Sequence, residues 1–556
     1  MSGSPHAHES PPPGPVEQLR AQVVDAAASL RGAGAAGAEP ALERPPRPEF
    51  GDFSTNVAML LAPALKAPPR EVAERVGGAL GAGLGKSLER IEVAGPGFLN
   101  LFLSDAWFRD ALTAVRAQGE TFGAGAVPEA ERQRVLVEFV SANPTGPLNA
   151  AGGRHAAYGD SLARVLEFAG HDVEREYYIN DHGTQIELFG RSIAARMTGD
   201  PVPEDGYQGE YLIALADRLR DEGLDPADVD TLARRGLELM VDEIRQTLER
   251  FRVRFDRFFS ERSLHEGDAI ERALATMEKT GQVYSHEGAT WLRTSDFGDD
   301  KDRVLRRSSG ELTYFASDIA YHQDKRERGY DQLINLLGAD HHGYQGRMRA
   351  LFTVLDDPDK LEVIIMQLVH FVERGERAKM SKRSGDFVTL DELLDDIGVD
   401  AARWFMLGRS HDTPLDIDLD LARERSQDNP VYYVQYAHAR IAAILRKAGE
   451  GPVARARAAD LATGRAPLEP AERALVKRLL ELPGEIVETG ERRAPHRLTK
   501  YAHDVASDFH AFYRDCRVVG AEPAELEDFR LVLCEATQHV IARVLDLAGV
   551  EAPESM

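Results

Sequence analysis

The alternation of apolar and polar positions divides the chain into parts with different local structure. From about Val16 to Phe102 a helical period gives way to strand-like alternation over Ile91 to Phe102, which predicts a small α+β N-terminal domain. Beyond about residue 130, short apolar runs alternate with helical stretches. From Ala401 onward the helical period alone remains, and it predicts an all-α C-terminal helix bundle.

The middle of the chain has the pattern of a parallel sheet. An apolar run at Val135 to Val140 precedes a helical stretch over about Gly153 to Phe168 and a second strand at Val173 to Ile179. Buried-type strands at Leu333 to Leu337 and Glu362 to Gln367 follow later, again separated by helices. Because parallel strands need helical crossovers, we expect a Rossmann-type, doubly wound parallel sheet in a multidomain α/β protein.

The same patterns predict the domain boundaries. We expect a disordered leader over residues 1–15, an N-terminal module over 16–125, a catalytic domain over 130–425 with an insertion at about 200–294, and a helical domain over 426–556. The leader is rich in Ser, Pro, Gly and His and lacks the apolar core of a signal peptide. The residues of the insertion predict no role.

Composition and charge narrow the class of protein. Of the 556 residues, 43% are hydrophobic and 29% charged, and no apolar run approaches the about 20 residues of a membrane helix, so we expect a cytoplasmic protein without a membrane partner. A net charge of −25 argues against a nonspecific nucleic-acid coat but leaves a specific RNA partner open. Cys516 and Cys534 lack metal-binding or redox spacing and are expected to be reduced core thiols.

A lysine-rich loop, Lys379-Met380-Ser381-Lys382-Arg383, follows a charged turn. When a carboxylate attacks the α-phosphate of ATP, negative charge accumulates on the leaving phosphates, and a positioned lysine stabilises that charge. We therefore assign catalytic roles to Lys379 and Lys382 and ATP contacts to Met380 and Ser381. Taken alone, a pentapeptide of this kind can equally be a solvated surface loop.

The segment from Glu138 to Leu148 runs from a strand into a turn and toward a helix N-terminus, a junction that offers backbone N–H groups to phosphate. It is similar to the segment that opens the nucleotide fold in bacterial arginyl-tRNA synthetases, and the resemblance spans almost the entire chain after the leader. That family usually continues with a histidine, a small or aliphatic residue, a glycine and a second histidine. Here Asn149-Ala150-Ala151-Gly152 follows, and both histidines are absent.

Because the motif lacks both histidines, other residues must donate the hydrogen bonds that ATP would receive from them. Asn149 can donate through its amide, whereas Gly152 offers only a backbone N–H, and Gly146 lies in the preceding turn. We hypothesise that His155, about one helical turn beyond Gly152, supplies a lost donor with help from Arg154. The alternative is that His155 is a surface or capping histidine.

The resemblance also implies an arginine pocket. Tyr314 and Asp318, four residues apart on one helix face, grip the substrate guanidinium in the family, and a carboxylate suits that planar set of donors. By the same resemblance Glu138, Ser141 and Asn143 would hold the polar backbone groups of the amino acid and orient its carboxylate toward ATP.

Nucleotide contacts are expected where another buried strand ends. Gly338, Asp340 and His341 follow that strand at the carboxyl edge of a parallel sheet, where ligands of such folds bind, and we assign them to ribose and adenine. Asp340 with the paired histidines could instead suggest a metal site. Because no third ligand follows at useful spacing, no metal ligand is predicted.

Three further groups of residues are expected to contact tRNA. Tyr433 and Tyr436 stand in a segment similar to the start of the family's anticodon-binding domain, where they would stack on bases; otherwise tyrosines at this spacing are core residues. Met556 is expected near the anticodon. Phe53 and Asn56 lie in a phrase that resembles the family's module for the tRNA elbow.

The resemblance implies an arginine–tRNA ligase. It would activate L-arginine with ATP, accompanied by Mg²⁺ as part of the substrate, and transfer the arginyl group to the 3′ end of tRNA(Arg), as a monomer and without a structural metal. The missing histidines motivate a rival, a catalytically impaired paralogue that binds tRNA. A second rival delivers arginyl-tRNA to a peptide or lipid pathway, and the sequence does not separate that destination from protein synthesis.

Overall fold

A computed structural model of the chain describes residues 14–31, 40–377, 381–382 and 386–556, with the backbone alone at 31, 48, 342, 381–382 and 386–387. Among these residues, no helix combines the length and the apolar character needed to cross a membrane. The N-terminal part packs helices against a four-stranded sheet of order β1-β2-β4-β3, which confirms the α+β prediction. Its elements are α1 (Pro15–Arg31), β1 (Leu42–Glu43), β2 (Phe53–Thr55), α2 (Val57–Leu65), α3 (Pro69–Leu84), β3 (Leu88–Ala94), β4 (Phe98–Leu103) and α4 (Asp105–Gln118).

The central part confirms the Rossmann-type prediction, with a five-stranded parallel sheet of order β12-β11-β5-β6-β7. Its first half comprises β5 (Arg134–Glu138), α5 (Gly152–Ala169), β6 (Asp172–Ile179), α6 (Thr184–Thr198), α7 (Tyr211–Asp221), α8 (Val229–Arg250), β7 (Arg257–Ser260), α9 (Arg262–Glu266) and α10 (Ala269–Lys279). Strand β7 falls within the interval interpreted as an insertion, which therefore supplies an edge of the catalytic sheet.

The second half of the central part adds short strands around the two remaining strands of the sheet. Its elements are β8 (Val283–His286), β9 (Ala289–Leu292), β10 (Arg303–Arg306), α11 (Tyr314–Glu327), β11 (Gln332–Gly338), α12 (His342–Val354), β12 (Leu361–Met366), β13 (Val369–Glu373), β14 (Glu376–Arg377), β15 (Ser381–Lys382), β16 (Asp386–Phe387), α13 (Leu390–Met406), β17 (Leu415–Asp418) and α14 (Leu419–Arg423).

Strand β17 contradicts the prediction that the helical period alone remains after Ala401. It pairs in parallel with β13, and its residues alternate between buried and exposed positions. Leu415 and Ile417 point inward, as the period of a strand requires. With four residues, the strand is too short for its period to stand out from the helices on either side.

The C-terminal part is the predicted helix bundle. It contains α15 (Pro430–Ala448), α16 (Glu450–Ala458), α17 (Pro470–Leu480), α18 (Leu482–Glu491), α19 (His496–Asp515) and α20 (Ala524–Ala548). The helical period over Ala471 to Glu491 is divided between α17 and α18, because Pro483 can stand in the first turn of a helix but not in its interior. Cys516 and Cys534 are buried free thiols, as predicted.

Helix α5 packs closely on its neighbours at two glycines. A Cβ at Gly159 would lie 2.3 Å from Phe139 Cγ, and a Cβ at Gly153 would lie 2.8 Å from Leu390 Cδ1. The aromatic side chain of Phe139 leaves no room for a side chain at Gly159, whereas Leu390 would have to move for one at Gly153. These contacts fix the start of α5 against the sheet and against α13.

Buried arginine and surface ion pairs join the parts. Arg403 is fully buried, pairs with Asp160 at 2.6 Å and donates to the carbonyl oxygens of Phe251 and Ala548, so α13, α5, α8 and α20 meet around one guanidinium. Lys477 of α17 lies 2.8 Å from Asp52 beside β2. The catalytic sheet is therefore tied to the helical bundle, and the bundle to the N-terminal part.

A row of polar side chains crosses four strands of the central sheet. Asn335, Glu138, Glu176 and Arg257 are register neighbours on β11, β5, β6 and β7. Glu138, Glu176 and Asn335 are buried. A buried carboxylate is tolerated only when it is paired and hydrogen-bonded, so this row requires partners from the layer above.

Helix α11 and the residue that follows it supply those partners. Lys325, which is fully buried, forms an ion pair with Glu138 and donates to Asn335 Oδ1 at 2.9 Å. Arg328 holds Glu176 through both terminal nitrogens, at 2.5 and 3.0 Å. The charges on the sheet thereby fix the position of α11 along the sheet.

Replacing Lys325 with methionine should destabilise the catalytic part strongly. The substitution leaves Glu138 buried without its cation, and we expect a loss of about 3–5 kcal/mol in the free energy of unfolding, measured by urea denaturation followed by circular dichroism. The exposed Lys279→Met change at the end of α10 should cost less than about 0.5 kcal/mol. Equal unfolding midpoints for the two variants would show that the buried pair is dispensable.

Candidate active site

A cavity of about 1190 Å³ opens at the carboxyl edge of β5 and β11. It is lined by residues from the segments 140–152, 206–211, 338–341, 366–369 and 388–392, together with His155. Ligands of open parallel sheets bind at this edge. The cavity brings together the predicted residues Ser141, Asn143, Gly146, Asn149, Gly152, His155, Gly338, Asp340 and His341.

The altered motif caps the turn that leads into α5, whose first flanking residue is Ala151. Asn149 Oδ1 accepts a hydrogen bond from the backbone N–H of Gly152 at 2.7 Å, an arrangement typical of a capping asparagine. The N–H of Gly152 is therefore already bonded, and a phosphate could use it only by displacing Asn149. The amide nitrogen of Asn149, an exposed residue, is the donor that this position offers to the cavity.

Backbone hydrogen bonds connect this cap to the chain that follows the lysine loop. Ala150 N donates to the carbonyl of Val388 at 2.9 Å, and Leu390 N donates to the carbonyl of Leu148 at 2.7 Å. Lys379 and Met380 lie outside the described residues, and Ser381 and Lys382 are described only as the backbone of β15. The segment that follows the lysine loop, at Val388 and Leu390, therefore lies next to the altered motif.

His155 lies on the cavity side of α5. A Cβ at Gly338 would lie 3.9 Å from its Cε1, so the imidazole stands beside the turn that carries Asp340 and His341. Burial and the neighbouring Arg154 lower the pKa of His155 to about 4, against the opposing effect of Asp340. The ring is therefore neutral near pH 7 and offers one N–H donor.

Arg154 points away from the cavity, so the prediction that it assists His155 is wrong. It is fully buried and donates to the carbonyl oxygens of Gln367, Ser410 and Thr413 at 2.8, 2.7 and 3.0 Å. Successive residues of a helix point in different directions, so Arg154 and His155 cannot face the same side. Arg154 instead ties α5 to the loops before β13 and β17.

Beside the cavity, two carboxylates share one partly enclosed space. Asp318, half-buried on α11, lies near Tyr344, and Glu261, which is buried, lies near Tyr178. Burial raises the pKa of Asp318 to about 7, opposed by Arg347. Burial and the nearby Asp318 raise the pKa of Glu261 to about 7. A cation between the two carboxylates would relieve this repulsion.

Glu261 was missed in the sequence because it lies in the interval interpreted as an insertion. The available signal was a carboxylate at the end of an apolar segment, since Glu261 directly follows β7. Polar residues that follow the strands of a parallel sheet are candidate ligand contacts.

The predicted substrate residues near Asp318 occupy different positions. Tyr314 begins α11 at the rim, where it is 73% exposed, so it contributes an accessible phenol and no buried contact. Glu138 binds Lys325 and accepts a hydrogen bond from Ser141 Oγ at 3.0 Å. Asn143 is hydrogen-bonded to Asn180 and Gln185. Glu138 is thus positioned to orient Ser141.

The turn after β5 has a strained backbone. Val140 and Ser141 have φ values of 66° and 40°, a region that β-branched residues rarely adopt. Such strain persists where the surroundings impose it, often at functional sites. Here the Ser141 hydroxyl accepts a hydrogen bond from Tyr178 N at 3.1 Å, which holds the turn against β6.

The interval without a predicted role closes one side of the cavity. Residues 206–211 line it opposite the altered motif, and the Tyr211 hydroxyl donates to the carbonyl of Thr145 at 2.6 Å. A Cβ at Gly146 would lie 3.3 Å from the Tyr211 ring. Gly146 therefore permits this tyrosine to pack on the turn.

Aromatic and basic side chains form a surface on α15 and α19. Tyr433 lies 5.0 Å from the ring of His503 and 4.9 Å from that of His510. Arg440 donates to the Tyr436 hydroxyl at 2.7 Å and lies over its ring. Both tyrosines are half-buried, so part of each ring is accessible for stacking.

The other predicted tRNA residues differ in accessibility. Met556 is 52% exposed at the end of a segment that His438 holds through the Pro553 carbonyl at 2.8 Å. Asn56 accepts a hydrogen bond from Ala41 N at 3.0 Å. Phe53 corrects the prediction: it is 7% exposed and packs edge-on against Trp107, because its position on β2 faces the core.

Protein-family models cover nearly the whole chain. The arginyl tRNA synthetase N terminal domain matches residues 17–103, the catalytic domain of class I tRNA synthetases (R) matches 114–200 and 216–417, and the DALR anticodon binding domain matches 434–556.

Similar proteins match over almost their full length. An arginine–tRNA ligase from Moorella thermoacetica is 45% identical, covering 97% of this chain and 98% of its own. One from Kineococcus radiotolerans is 46% identical, covering 93% and 94%. The structure of the Thermus thermophilus arginyl-tRNA synthetase matches with a TM-score of 0.73 over 97% of this chain and 99% of that chain; at 24% identity this likeness concerns the fold.

Binding of a guanidinium ligand to the pocket of Asp318 and Glu261 should weaken as pH falls. Both carboxyls have pKa values raised to about 7, so below that pH they hold protons that a cation must displace. We expect the affinity for L-arginine to be roughly tenfold lower at pH 6 than at pH 8 for one displaced proton, measured by calorimetry. The Asp318→Asn variant should bind L-arginine more weakly than the unaltered protein at both pH 6 and pH 8. Equal affinity of the unaltered protein at the two values would contradict this account of the pocket.

Proposed function

The chain belongs to the arginyl-tRNA synthetase family, and from that premise we propose how its residues carry out the arginylation of tRNA. Identities of 45% and 46% over nearly complete chains make it an arginine–tRNA ligase, an enzyme of the class I aminoacyl-tRNA synthetases. They give no support to the rival in which the chain is a catalytically impaired paralogue. Its substrates are L-arginine, ATP and tRNA.

The observation that carries the proposed arginine site is the pair of carboxyls at Asp318 and Glu261. Burial raises the pKa of both to about 7, and the nearby Asp318 adds to the effect on Glu261. A guanidinium presents planar N–H donors that two carboxylates can accept at once. We assign the guanidinium to Asp318 and Glu261, with the hydroxyls of Tyr178 and Tyr344 steering them and Tyr314 closing the rim.

The other end of the amino acid then faces the strained turn after β5. Ser141 and Asn143 line the cavity and are proposed to orient the amino and carboxylate groups. Glu138 is already paired with Lys325, so we assign it the positioning of Ser141. The arginine carboxylate oxygen attacks the α-phosphorus of ATP, the bond to pyrophosphate breaks, and arginyl-adenylate forms.

ATP is proposed to occupy the cavity between the altered motif and the end of β11. Gly338, Asp340 and His341 would meet the ribose and adenine, and the turn at Gly146 and Gly152 would face the phosphates. Mg²⁺ enters with ATP as part of the substrate and neutralises its phosphates. Lys379 and Lys382, with Met380 and Ser381, would stabilise the departing pyrophosphate from the loop that ends beside Leu148 and Ala150.

His155 and Asn149 are proposed to replace the donors of the missing histidines. His155 is neutral near pH 7 and lies beside the nucleotide turn, while the amide nitrogen of Asn149 is accessible at the mouth of the same cavity. Neutral donors in a partly enclosed site strengthen as negative charge develops in the transition state. The capping interaction of Asn149 keeps its amide oriented.

The tRNA is proposed to contact both ends of the chain. In the second step its terminal ribose hydroxyl attacks the arginyl carbonyl, and AMP leaves. Residues 16–125 would meet the tRNA elbow, residues 130–425 carry the chemistry, and residues 426–556 hold the anticodon. Tyr433 and Tyr436 are the stacking candidates beside Arg440, with Met556 nearby, and Asn56 serves the elbow. We propose a cytoplasmic monomer that charges tRNA(Arg).

The purified protein should transfer labelled arginine to tRNA(Arg) with ATP and Mg²⁺, and Lys382→Ala should slow pyrophosphate exchange about 10²- to 10³-fold, as loss of a transition-state donor does. Lys447→Ala on α15 should leave exchange unchanged. The KM for arginine should stay the same in both variants, because neither lysine is assigned to its pocket. Tight tRNA binding by the unaltered protein without charging would sink the mechanism.

His155→Ala should lower the rate of pyrophosphate exchange roughly tenfold to a hundredfold, the cost of one hydrogen bond to a charged group. His155→Gln retains an N–H donor and should recover part of that rate, whereas a capping or surface role would not distinguish the two variants. The exposed His286→Ala on β8 is the matched control. Full exchange activity in His155→Ala would mean that Asn149 and backbone donors suffice.

A further inference from the structure

We propose that His182, Glu261 and His265 form a binding site for one divalent transition-metal ion, with Zn²⁺ as the best fit, at the rim of the arginine pocket. Each residue offers one ligand atom, and these atoms all lie within 4.8 Å of one another. His265 Nε2 lies 3.9 Å from Glu261 Oε1. Zinc bonds of about 2.0–2.2 Å to imidazole and carboxylate would require these side chains to rotate toward a shared ion.

The ligands come from two segments that the fold holds together. Glu261 directly precedes α9 and His265 lies four residues later, so both face the same side of one helical turn. His182 lies in the loop after β6. Its neighbour Asp181 accepts hydrogen bonds from Arg262 N at 2.9 Å and from Ser260 Oγ at 2.6 Å, which pins that loop to the start of α9.

The two histidine rings lie face to face. His182 and His265 stack with centroids 3.7 Å apart and planes 9° apart, so their ring nitrogens are close together. Parallel rings direct their lone pairs in parallel, so one ring must turn to share an ion. His182 is exposed and can do so.

The donor set selects the class of ion. Two imidazoles and one carboxylate suit Zn²⁺ and related transition metals, whereas Mg²⁺ prefers oxygen ligands and retains its waters. The Ser317 hydroxyl lies 3.3 Å from His265 Nε2, so an ion bound through Nε2 would replace this contact. The site is therefore chemically distinct from the magnesium that accompanies ATP.

The site shares a ligand with the arginine pocket, which gives it a regulatory consequence that rests on the function proposed above. Glu261 would accept from the guanidinium in one state and bind the ion in the other. Because the two cations would compete for one carboxylate and repel each other, the metal should weaken arginine binding, and arginine should weaken metal binding equally.

Calorimetric titration of the full-length, chelator-treated protein with Zn²⁺ in millimolar Mg²⁺ tests the site. We expect one ion to bind at a site that weakens at least about tenfold in His182→Ala, since loss even of an outer partner costs that much. His182 is exposed, so its variant should fold, which a thermal melt checks. His286→Ala, also an exposed histidine, should bind as the unaltered protein does. Binding that is the same in all three proteins would overturn the proposal.

A second arm separates the metal site from the arginine pocket. Agmatine carries the guanidinium but lacks the carboxylate with which arginine chelates metals. Saturating agmatine should weaken Zn²⁺ binding to the unaltered protein severalfold. That result would support Glu261 both as a metal ligand and as an acceptor for the guanidinium. Metal binding that depends on His182 but ignores agmatine would keep the metal site and remove Glu261 from the guanidinium pocket.

Discussion

A carboxylate in the interior of a parallel sheet must find a cation, and this requirement organises the catalytic part. Glu138 and Glu176 are register neighbours on β5 and β6, so their negative charges lie side by side in a region of low dielectric. Lys325 and Arg328 neutralise them from the layer above. Because α11 is anchored by these pairs, Asp318, two turns before Lys325, is delivered to the edge of the sheet where the cavity opens.

The same region contains two carboxyls whose pKa values are raised. Asp318 lies near Tyr344 and Glu261 near Tyr178, and the Arg347 that opposes the raised pKa of Asp318 does not bring that pKa back to its ordinary range. The ion pairs of Glu138 and Glu176 thus stabilise the sheet below the site. The carboxyls of Asp318 and Glu261, whose pKa values are raised, would gain from a cationic substrate. Perturbed pKa values at the edge of a parallel sheet are typical of ligand sites. Glu138 and Glu176 therefore stabilise the fold, whereas Asp318 and Glu261 are candidates for binding the substrate. Helix α11 carries both Lys325, which pairs with Glu138, and Asp318.

Sequence reasoning reached the order of the main strands and helices, because long helices and buried strands leave a clear period at Gly152–Ala169, Gln332–Gly338 and Ala524–Ala548. It failed where pairing with distant residues decides the structure. Strands β7 and β17 are four residues each, and neither differs from a loop until its partner strand is known. Glu261 was lost with β7, and Lys325 was passed over because a fully buried lysine contradicts hydropathy. Phe53 and Arg154 were misplaced because a motif gives the identity of a residue without the direction of its side chain.

The close packing of α5 determines which positions at its start can accept a different side chain. Gly153 and Gly159 hold the helix against Leu390 and Phe139, while Asn149 and Gly152 face the cavity. The start of the helix is therefore held by these glycine contacts together with the hydrogen bond from Gly152 N to Asn149 Oδ1. A side chain at Gly159 would collide with Phe139, whereas a side chain at the cavity face has open space in front of it. The helix therefore accepts a change of chemistry at its cavity face more readily than a change of size at Gly159.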